Sequence, residues 1–203
     1  MGEQEPGRRR GRAGEHGRTL VELVVVAGIG AVLAAFTFKQ VRAYAVDAHL
    51  LGAAQVFKGE FRKARSMAAR SNAYTAIRFE EKAAIPRYSV YLDGNSNGVR
   101  KEDINKGIDT RVAGPFFLDA QAPGVRVGIN PGTPAIPPDK GLLNVNDPIQ
   151  FGSADMLSFS PLGTATPGTF YLAGQGGQAA VRVSPGSARV RLLLCRNGKW
   201  VER

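Results

Sequence analysis

An apolar run near the N-terminus constrains the fold more than any other feature of the sequence. Residues 19–38 are apolar except for two threonines, the glycines and one glutamate, Glu22. A 20-residue helix spans about 30 Å, which matches the hydrocarbon core of a bilayer. The preceding residues, 1–17, include four arginines, and basic residues before an apolar segment stay on the cytoplasmic side. The run therefore predicts one membrane-spanning helix, with the rest of the chain outside the cytoplasm.

The apolar pattern continues past Phe38 but changes its period. Apolar residues now recur at spacings of three and four, which mark one face of an amphipathic helix. No proline occurs between Thr19 and Asn72. The pattern predicts one helix of about 54 residues, whose second half packs a stripe against a globular domain. The stripe consists of Val41, Tyr44, Ala48, Leu51, Ala54, Phe57, Phe61, Ala64 and Ala68.

The second half of the chain predicts short strands. After Asn72 the apolar and polar residues alternate, and many of the 25 glycines and 12 prolines supply turns. Residues 130–148 are rich in proline and are predicted to form a loop between two groups of strands. Antiparallel sheets packed on the helix follow, so the predicted fold class is α+β. The predicted strands are 74–79, 87–92, 110–118, 125–129, 149–152, 157–160, 168–173, 179–184, 188–194 and 199–202.

Three explanations of the N-terminal segment differ in how they account for Glu22. A secretory signal is one, since Ala43-Tyr44-Ala45 supplies an A-x-A cleavage site. A simple membrane anchor is another. Neither accounts for the glutamate, because an ionisable group inside a membrane costs several kcal/mol unless it is paired. The third explanation supplies a partner for it.

The segment GRTLVEL, residues 17–23, resembles the type IV prepilin signal. That signal is a basic leader ending in glycine, then a hydrophobic helix with glutamate at the fifth mature position. The resemblance implies that a prepilin peptidase cuts between Gly17 and Arg18 and methylates the new amino group. Arg18 then stands where the family usually has an apolar residue, and Glu22 is mature residue five. In a filament of staggered helices, each Glu22 carboxylate meets a neighbour's N-terminal ammonium, and this pair sets the register.

Two further segments are similar to the GspH/FimT family of minor pilins and pseudopilins. RSMAARSN, followed by a strand, looks like that family's ARSEA…RN segment, and LSFSPLGTATPGTF looks like its F-x-P-x-G…G-T hairpin. The resemblance covers nearly the whole mature chain. It implies a pilin-like fold, in which one long N-terminal helix packs on an antiparallel β domain. The implied divisions are a leader (1–17), a transmembrane or filament-core helix (18–38), its amphipathic continuation (39–72) and the β domain (73–203).

The same resemblance implies a structural role. The protein is expected to be a minor pilin or pseudopilin at the tip of a short filament, in a type II secretion system or a type IV pilus. Its expected partners are other pilins, the prepilin peptidase, the membrane and the inner-membrane assembly platform. It is expected in the bacterial inner membrane as a single-pass protein with a periplasmic C-terminal domain.

The sequence offers no basis for an enzyme. None of the familiar nucleophile, phosphate-binding or zinc motifs occurs. Removal of the leader leaves His49 as the only histidine, and it has no evident catalytic partner. Cys195 ends an apolar strand and is predicted to be buried as a small apolar residue.

DNA binding in natural transformation is the alternative function, since some FimT-type minor pilins are implicated in DNA capture. The chain has a formal net charge of +10, and residues 182–203 are rich in arginine. Side chains that alternate along a strand point to one face, where they contact phosphates in a salt-dependent way. Trp200 either stacks on an unpaired base or belongs to the core, and a solvated sheet face is the competing explanation of the charges. The candidate DNA-binding residues are Arg189, Arg191, Arg196 and Lys199.

One loop has part of the pattern of a calcium site. Asp93, Asn95 and Asn97 match positions 1, 3 and 5 of an EF-hand loop, but Ile104 stands at position 12, where a bidentate glutamate belongs. The competing explanation is a turn built by Asp-Gly and Asn-Gly with side-chain-to-backbone hydrogen bonds. These three residues are the candidate calcium ligands, and no other cofactor is expected.

Overall fold

The computed structural model describes residues 19–81, 83–122, 124–175 and 177–203, with the backbone alone described for residues 35–47. The chain divides into two units, Met1–Val41 and Arg42–Arg203. The predicted cleavage residues, Gly17 and Arg18, lie outside the described residues. The second unit contains the β domain.

The long helix predicted from the sequence is present. Helix α1 runs from Leu20 to Ser71. It ends where Asn72 adopts a left-handed backbone conformation, with a φ of 49°, which is a common way to close a helix. Among the described residues, however, no helix is both long and apolar enough to cross a membrane. The membrane-spanning helix predicted over residues 18–38 is therefore not confirmed.

The strands form two antiparallel sheets. Sheet A contains β1 (Thr75–Glu80), β2 (Arg87–Leu92), β3 (Thr110–Phe117) and β6 (Met156–Phe159). Sheet B contains β4 (Arg126–Val127), β5 (Ile149–Gln150), β7 (Gly168–Gly174), β8 (Gly177–Val183), β9 (Val190–Arg196) and β10 (Lys199–Glu202). The strand order is β3-β2-β1-β6 in sheet A and β10-β9-β8-β7-β4 in sheet B, where β5 also pairs with β7.

Three short helices were not predicted. Helix α2 (Lys101–Asn105) follows β2, and helix α3 (Leu118–Gln121) follows β3 directly. A single 3-10 turn, Gly152–Ala154, precedes β6. The α+β fold class is observed, and its antiparallel sheets are consistent with a pilin-like fold.

Aromatic side chains join α1 to both sheets. The rings of Phe57 in α1 and Phe170 in β7 lie 4.6 Å apart, and Phe170 also stacks on Phe79 of β1 at 5.2 Å. Phe61, one helical turn after Phe57, packs edge-on against Phe79 and Phe151. Each fully buried ring of this size contributes several kcal/mol to stability. The cluster therefore fixes the position of the helix's second half on the sheets.

The buried face of α1 differs at its start from the predicted stripe. Ala54, Phe57, Phe61, Ala64 and Ala68 are buried as predicted. Ala48 is exposed and Leu51 is only partly buried, and the stripe starts instead with Leu50 and Ala53. A helix face that packs between two sheets is wider than a single i, i+3, i+4 line, which explains the difference. Val41 and Tyr44 lie among the residues described by backbone alone.

The proline-rich segment, residues 130–148, is a loop as predicted, but it does not separate two groups of strands, because β4 before it and β5 after it both pair with β7. The loop covers part of the outer face of sheet B. Beneath it lies a second, smaller apolar cluster. Its buried members are Ile129, Ile136, Tyr171, Ala180 and Leu193. Both faces of sheet B therefore carry buried side chains, one against α1 and one against the loop.

Candidate functional site

The described N-terminal part of α1 presents an unusual amount of exposed apolar surface. Large aliphatic side chains there are half to four-fifths exposed. An exposed apolar surface of this extent is typical of a segment that packs against a membrane or a protein partner. The exposed residues are Leu20, Val21, Leu23, Val24, Val25, Val26, Ile29, Val32 and Leu33.

Glu22 has a local role that the sequence analysis did not recognise. The backbone N–H of Glu22 donates to the hydroxyl of Thr19 at 3.3 Å, and the N–H of Leu23 donates to the carbonyl of Thr19 at 3.2 Å. Thr19 is therefore the N-cap of α1, and Glu22 is the third residue of the first turn. The sequence T-x-x-E is the pattern of a capping box, and this signal was available from the sequence. A carboxylate in the first turn also interacts favourably with the helix dipole.

Glu202 brings two of the four candidate DNA-binding residues together. Its carboxylate lies 3.0 Å from Nη2 of Arg189 and 3.7 Å from Nη1 of Arg191. One acid thus contacts both arginines, as expected if their side chains lie on the same face of the sheet. That acid neutralises part of the charge that DNA would meet.

The other two candidates lie at the opposite end of the β9–β10 hairpin. Arg196 of β9 and Lys199 of β10 are paired directly beside the turn. Lys199 precedes Glu202 by three residues in β10. Three residues of strand correspond to about 10 Å, so the four side chains form two separate pairs. The structure thus assembles a two-part basic edge rather than one compact patch.

Trp200 has partners within the β domain. Its indole N–H donates to the carbonyl of Pro134 at 2.9 Å, and its ring meets Tyr171 edge-on at 6.3 Å. The side chain is half-buried under the proline-rich loop. These contacts favour the core assignment of Trp200 over a base-stacking role, because stacking would require the ring face to be open.

The candidate calcium loop is organised by three carboxylates. Asp93, the first candidate ligand, accepts three backbone N–H bonds, from Asn95 at 3.0 Å, Ser96 at 2.9 Å and Gly98 at 2.7 Å. Asp109 accepts the N–H groups of Gly94 and Arg100. Both aspartates are almost fully buried. The carboxylate oxygens thus satisfy the backbone of the turn, as the competing explanation of this loop proposed.

Asp103 is the third carboxylate, and it contacts the other two calcium candidates. The amide nitrogens of Asn95 and Asn97 both donate to its Oδ2, at 3.3 and 3.1 Å. The hydrogen bond from Asn97 is the main cause that lowers the pKa of Asp103 below its ordinary value. Within the described parts of the chain, no three acidic, histidine or cysteine groups are arranged to hold a metal ion. Calcium binding at Asp93, Asn95 and Asn97 stays a prediction.

Cys195 is partly exposed, which corrects the prediction of a buried residue. It lies opposite Trp200 on the β9–β10 hairpin. Partial burial raises the pKa of the thiol, although a backbone hydrogen bond from Gly198 acts the other way. A raised pKa keeps the thiol protonated and weakly nucleophilic, so the structure gives it no activated form.

The comparisons with known proteins identify the family. A sequence model of the family described as type II transport protein GspH matches residues 53–187, which is more than half of the chain. No curated protein and no solved structure matches the chain. The chain therefore belongs to the GspH family, and the resemblance found in the sequence is confirmed. The matched range begins inside α1 and covers most of both sheets.

Proposed function

We propose that this GspH-family chain is a minor pseudopilin that joins other pseudopilins near the tip of the filament used in type II secretion. The family is one of structural pseudopilins associated with the cell envelope, and in general terms this supports a role in protein secretion without catalysis. The observation that carries the finer proposal is the exposed apolar surface of α1 that begins beside Glu22. Such a surface is stable only when lipid or neighbouring helices cover it.

In this proposal the protein is processed and assembled in the same way as a prepilin. Prepilin peptidase removes residues 1–17 at Gly17 and methylates the amino group of Arg18. The helix over residues 18–38 holds the subunit in the bacterial inner membrane, with the β domain in the periplasm. The assembly platform then extracts the subunit into the filament. Amphipathic residues 39–72 and the β domain, 73–203, stay at the filament surface.

Glu22 sets the register of the subunit in this proposal. Its carboxylate and the N-terminal ammonium of a neighbour are both charged groups that leave water when helices pack. Such a pair costs free energy when either partner is missing, so an out-of-register subunit is strongly disfavoured. The observed capping contact with Thr19 is compatible with this role, because it uses the backbone N–H of Glu22 and leaves the carboxylate available.

The test compares Glu22→Gln with Thr19→Ala in cells that assemble the filament. We expect Glu22→Gln to be processed normally but recovered in sheared filaments at least about tenfold less often, since the neighbour's ammonium is left unpaired. Thr19→Ala removes the cap hydroxyl and costs about 1 kcal/mol of helix stability, but it should still assemble. If Glu22→Gln assembles normally, or if Thr19→Ala is lost from the filaments to the same degree, Glu22 only stabilises the start of the helix.

DNA binding is a second candidate, and the basic edge around Glu202 favours it. Arg189 is two-thirds exposed and Arg191 one-third exposed, so phosphates could reach both side chains. If DNA binds here, Glu202→Gln should raise the affinity of the full chain for duplex DNA several-fold, because it frees both arginines. Arg189→Ala with Arg191→Ala should remove the binding. Duplex DNA left unshifted at low salt by the detergent-solubilised chain would exclude this function.

A further inference from the structure

A groove on the outer face of sheet B shares Arg191 with the candidate DNA-binding residues and is otherwise separate from the sites described above. Its cavity volume is about 340 Å³. It opens beside the proline-rich loop, where that loop leaves part of the sheet uncovered. Its polar lining comes from both the sheet and the loop. The residues that matter here are Asp139, Thr169, Tyr171, Arg182 and Arg191, with Pro185 at one wall.

Two arginines face each other directly in this groove. Arg182 of β8 and Arg191 of β9 are opposite partners in the antiparallel register, so their side chains leave the same face of the sheet. Thr169 of β7 is the next residue in the same row, opposite Arg182. Like charges at directly opposed positions destabilise a sheet unless something compensates them.

The acids near this pair compensate it incompletely. Nη2 of Arg182 lies 3.5 Å from a carboxylate oxygen of Asp139, whose side chain is two-thirds exposed. Nη1 of Arg191 lies 3.7 Å from Glu202, which is closer to Arg189. Three guanidinium groups therefore share two carboxylates. Within these three ion pairs, one guanidinium charge is left over, although the carboxylate of Asp147 also acts on Tyr171 in the groove.

The strongest sign of a missing ligand is a buried donor. The Nε–H of Arg191 is buried, and it has no hydrogen-bond partner among the residues that the structure describes. Buried side-chain donors are almost always paired, because an unpaired one loses its bonds to water without replacement. Because this nitrogen has almost no accessible surface, an acceptor that enters the groove reaches it only after the Arg191 side chain shifts. The acceptor would then satisfy this donor and the leftover charge together.

We propose that this groove binds a carboxylate carried on a short aliphatic stem, with Arg182 and Arg191 as its two guanidinium donors. The Nε–H and one Nη–H of an arginine form a planar fork that matches the two oxygens of a carboxylate. The single leftover charge fits a monoanion, and the carboxylate of Asp139 at the rim repels a dianion such as phosphate. The ring of Tyr171 and the Pro185 wall suit the aliphatic stem. The source is either a free short-chain monocarboxylic acid or a Glu or Asp side chain of a partner protein.

The binding site does not depend on assembly into a filament, so its test uses the isolated full chain. The detergent-solubilised protein is labelled with 15N in its arginines and kept in a buffer without carboxylate or phosphate. Butyrate, the capped peptide Gly-Glu-Gly and inorganic phosphate are titrated separately, and the Nε–Hε signals are followed. We expect butyrate or the peptide to shift the signals of Arg182 and Arg191 with saturation.

The variants separate this site from general charge effects. Arg182→Gln should weaken carboxylate binding about tenfold, a loss of one charged hydrogen-bonding group. Arg191→Lys keeps the charge but lacks the Nε donor, and it should weaken binding comparably. Arg111→Gln, an exposed arginine in β3 of sheet A, removes the same charge at a distance and should leave the affinity unchanged.

The outcomes decide both the site and its ligand. Saturable binding of the peptide identifies a protein side chain as the source, and binding of butyrate alone identifies a free monocarboxylic acid. Tighter binding of inorganic phosphate than of either carboxylate would overturn the assignment. Signal shifts that never saturate would show that there is no site. An affinity that decreases equally in Arg111→Gln and Arg182→Gln would show the same.

Discussion

At the scale of single residues, Gly168 shows how one position links two distant parts of the chain. It begins β7 where another backbone passes very close. A Cβ built on Gly168 would collide with the carbonyl oxygen of Gln150 and with the ring of Phe151, which is fully buried. Only glycine permits this approach. The last glycine of the hairpin motif that resembles the GspH/FimT family is therefore explained by the pairing of β5 with β7.

Gly168→Ala should lower the free energy of unfolding by about 1–3 kcal/mol, because backbone or Phe151 must move to make room. The measurement is urea unfolding of the detergent-solubilised chain, followed by fluorescence of the single tryptophan, Trp200. Gly186→Ala is the matched control: no atom lies within 4 Å of its added Cβ and its φ is ordinary. It should change stability by less than about 0.5 kcal/mol. Equal effects of the two substitutions would contradict the close approach at Gly168.

The sequence predicted residues whose role depends on local spacing. Phe57, Phe61, Ala64 and Ala68 are buried because helix geometry alone places them on one face. Gly168 and the pair of Arg182 with Arg191 were not explained in advance, since their roles depend on which strands pair. That pairing joins residues far apart in sequence, and no local pattern specifies it.

At the scale of elements, the loop between β2 and β3 is held by its own carboxylates. Asp93, Asp103 and Asp109 accept hydrogen bonds from the turn, and they position helix α2 between the strands. Asp103 itself belongs to α2, where it also lies in the first turn of the helix. The bonds from Asn97 and Asn95 favour its charged form, so the pKa of Asp103 lies below the ordinary 3.8 in the folded protein.

This shift predicts an acid-dependent contribution to stability. The folded pKa of Asp103 is below the unfolded value, so its contribution is fully present above pH 3.8 and is lost as the pH falls through the lower folded pKa. Asp103→Asn should therefore be less stable than the unchanged chain above that pH, and the difference should shrink on acidification. Thermal unfolding at a series of pH values measures it. A difference that stays constant or grows on acidification would contradict this assignment.

Asp119→Asn provides the control for the loss of one carboxylate. Asp119 is exposed in the short helix α3. Its substitution should leave the stability within about 0.5 kcal/mol at every pH tested. A pH-dependent loss as large as that of Asp103→Asn would mean that net charge, rather than the loop's hydrogen bonds, governs the acid response.

Long elements were easier to predict than short ones. The helix α1 and strands such as Arg87–Leu92 and Thr110–Phe117 match their predicted ranges closely, because their periodicity extends over several residues. The predicted strands 125–129 and 149–152 shrink to two residues each. Helix α2 was missed because it has only five residues and depends on carboxylates from the surrounding loop. Such helices are stabilised by tertiary contacts rather than by propensity.

At the scale of the whole molecule, the GspH-family match and the exposed apolar surface of α1 support the same account. The family model covers residues 53–187, whereas the prepilin-like features lie before that range. The cleavage site, Glu22 and the apolar helix therefore depend on the sequence motif and not on the family match. The net charge of +10 is compatible with a role in secretion, with DNA binding and with binding of an acidic partner, so it does not distinguish these functions.

The family and the fold class could be predicted from the sequence because three separated motifs and two periodicities agreed. The two-part arrangement of the basic edge could not be predicted. Glu202 divides its charge between Arg189 and Arg191, and this contact exists only once β10 pairs with β9. The groove of Arg182 and Arg191 likewise forms only when the proline-rich loop folds over sheet B.

The central claim is that the chain is processed as a prepilin, and intact mass spectrometry tests it most directly. The full chain is expressed with and without a prepilin peptidase, extracted from membranes and weighed. The account predicts that only the peptidase yields a protein beginning at Arg18, with the mass of one added methyl group. A mass that does not change with the peptidase, or a chain that begins near Val46 as after a secretory signal, would contradict it.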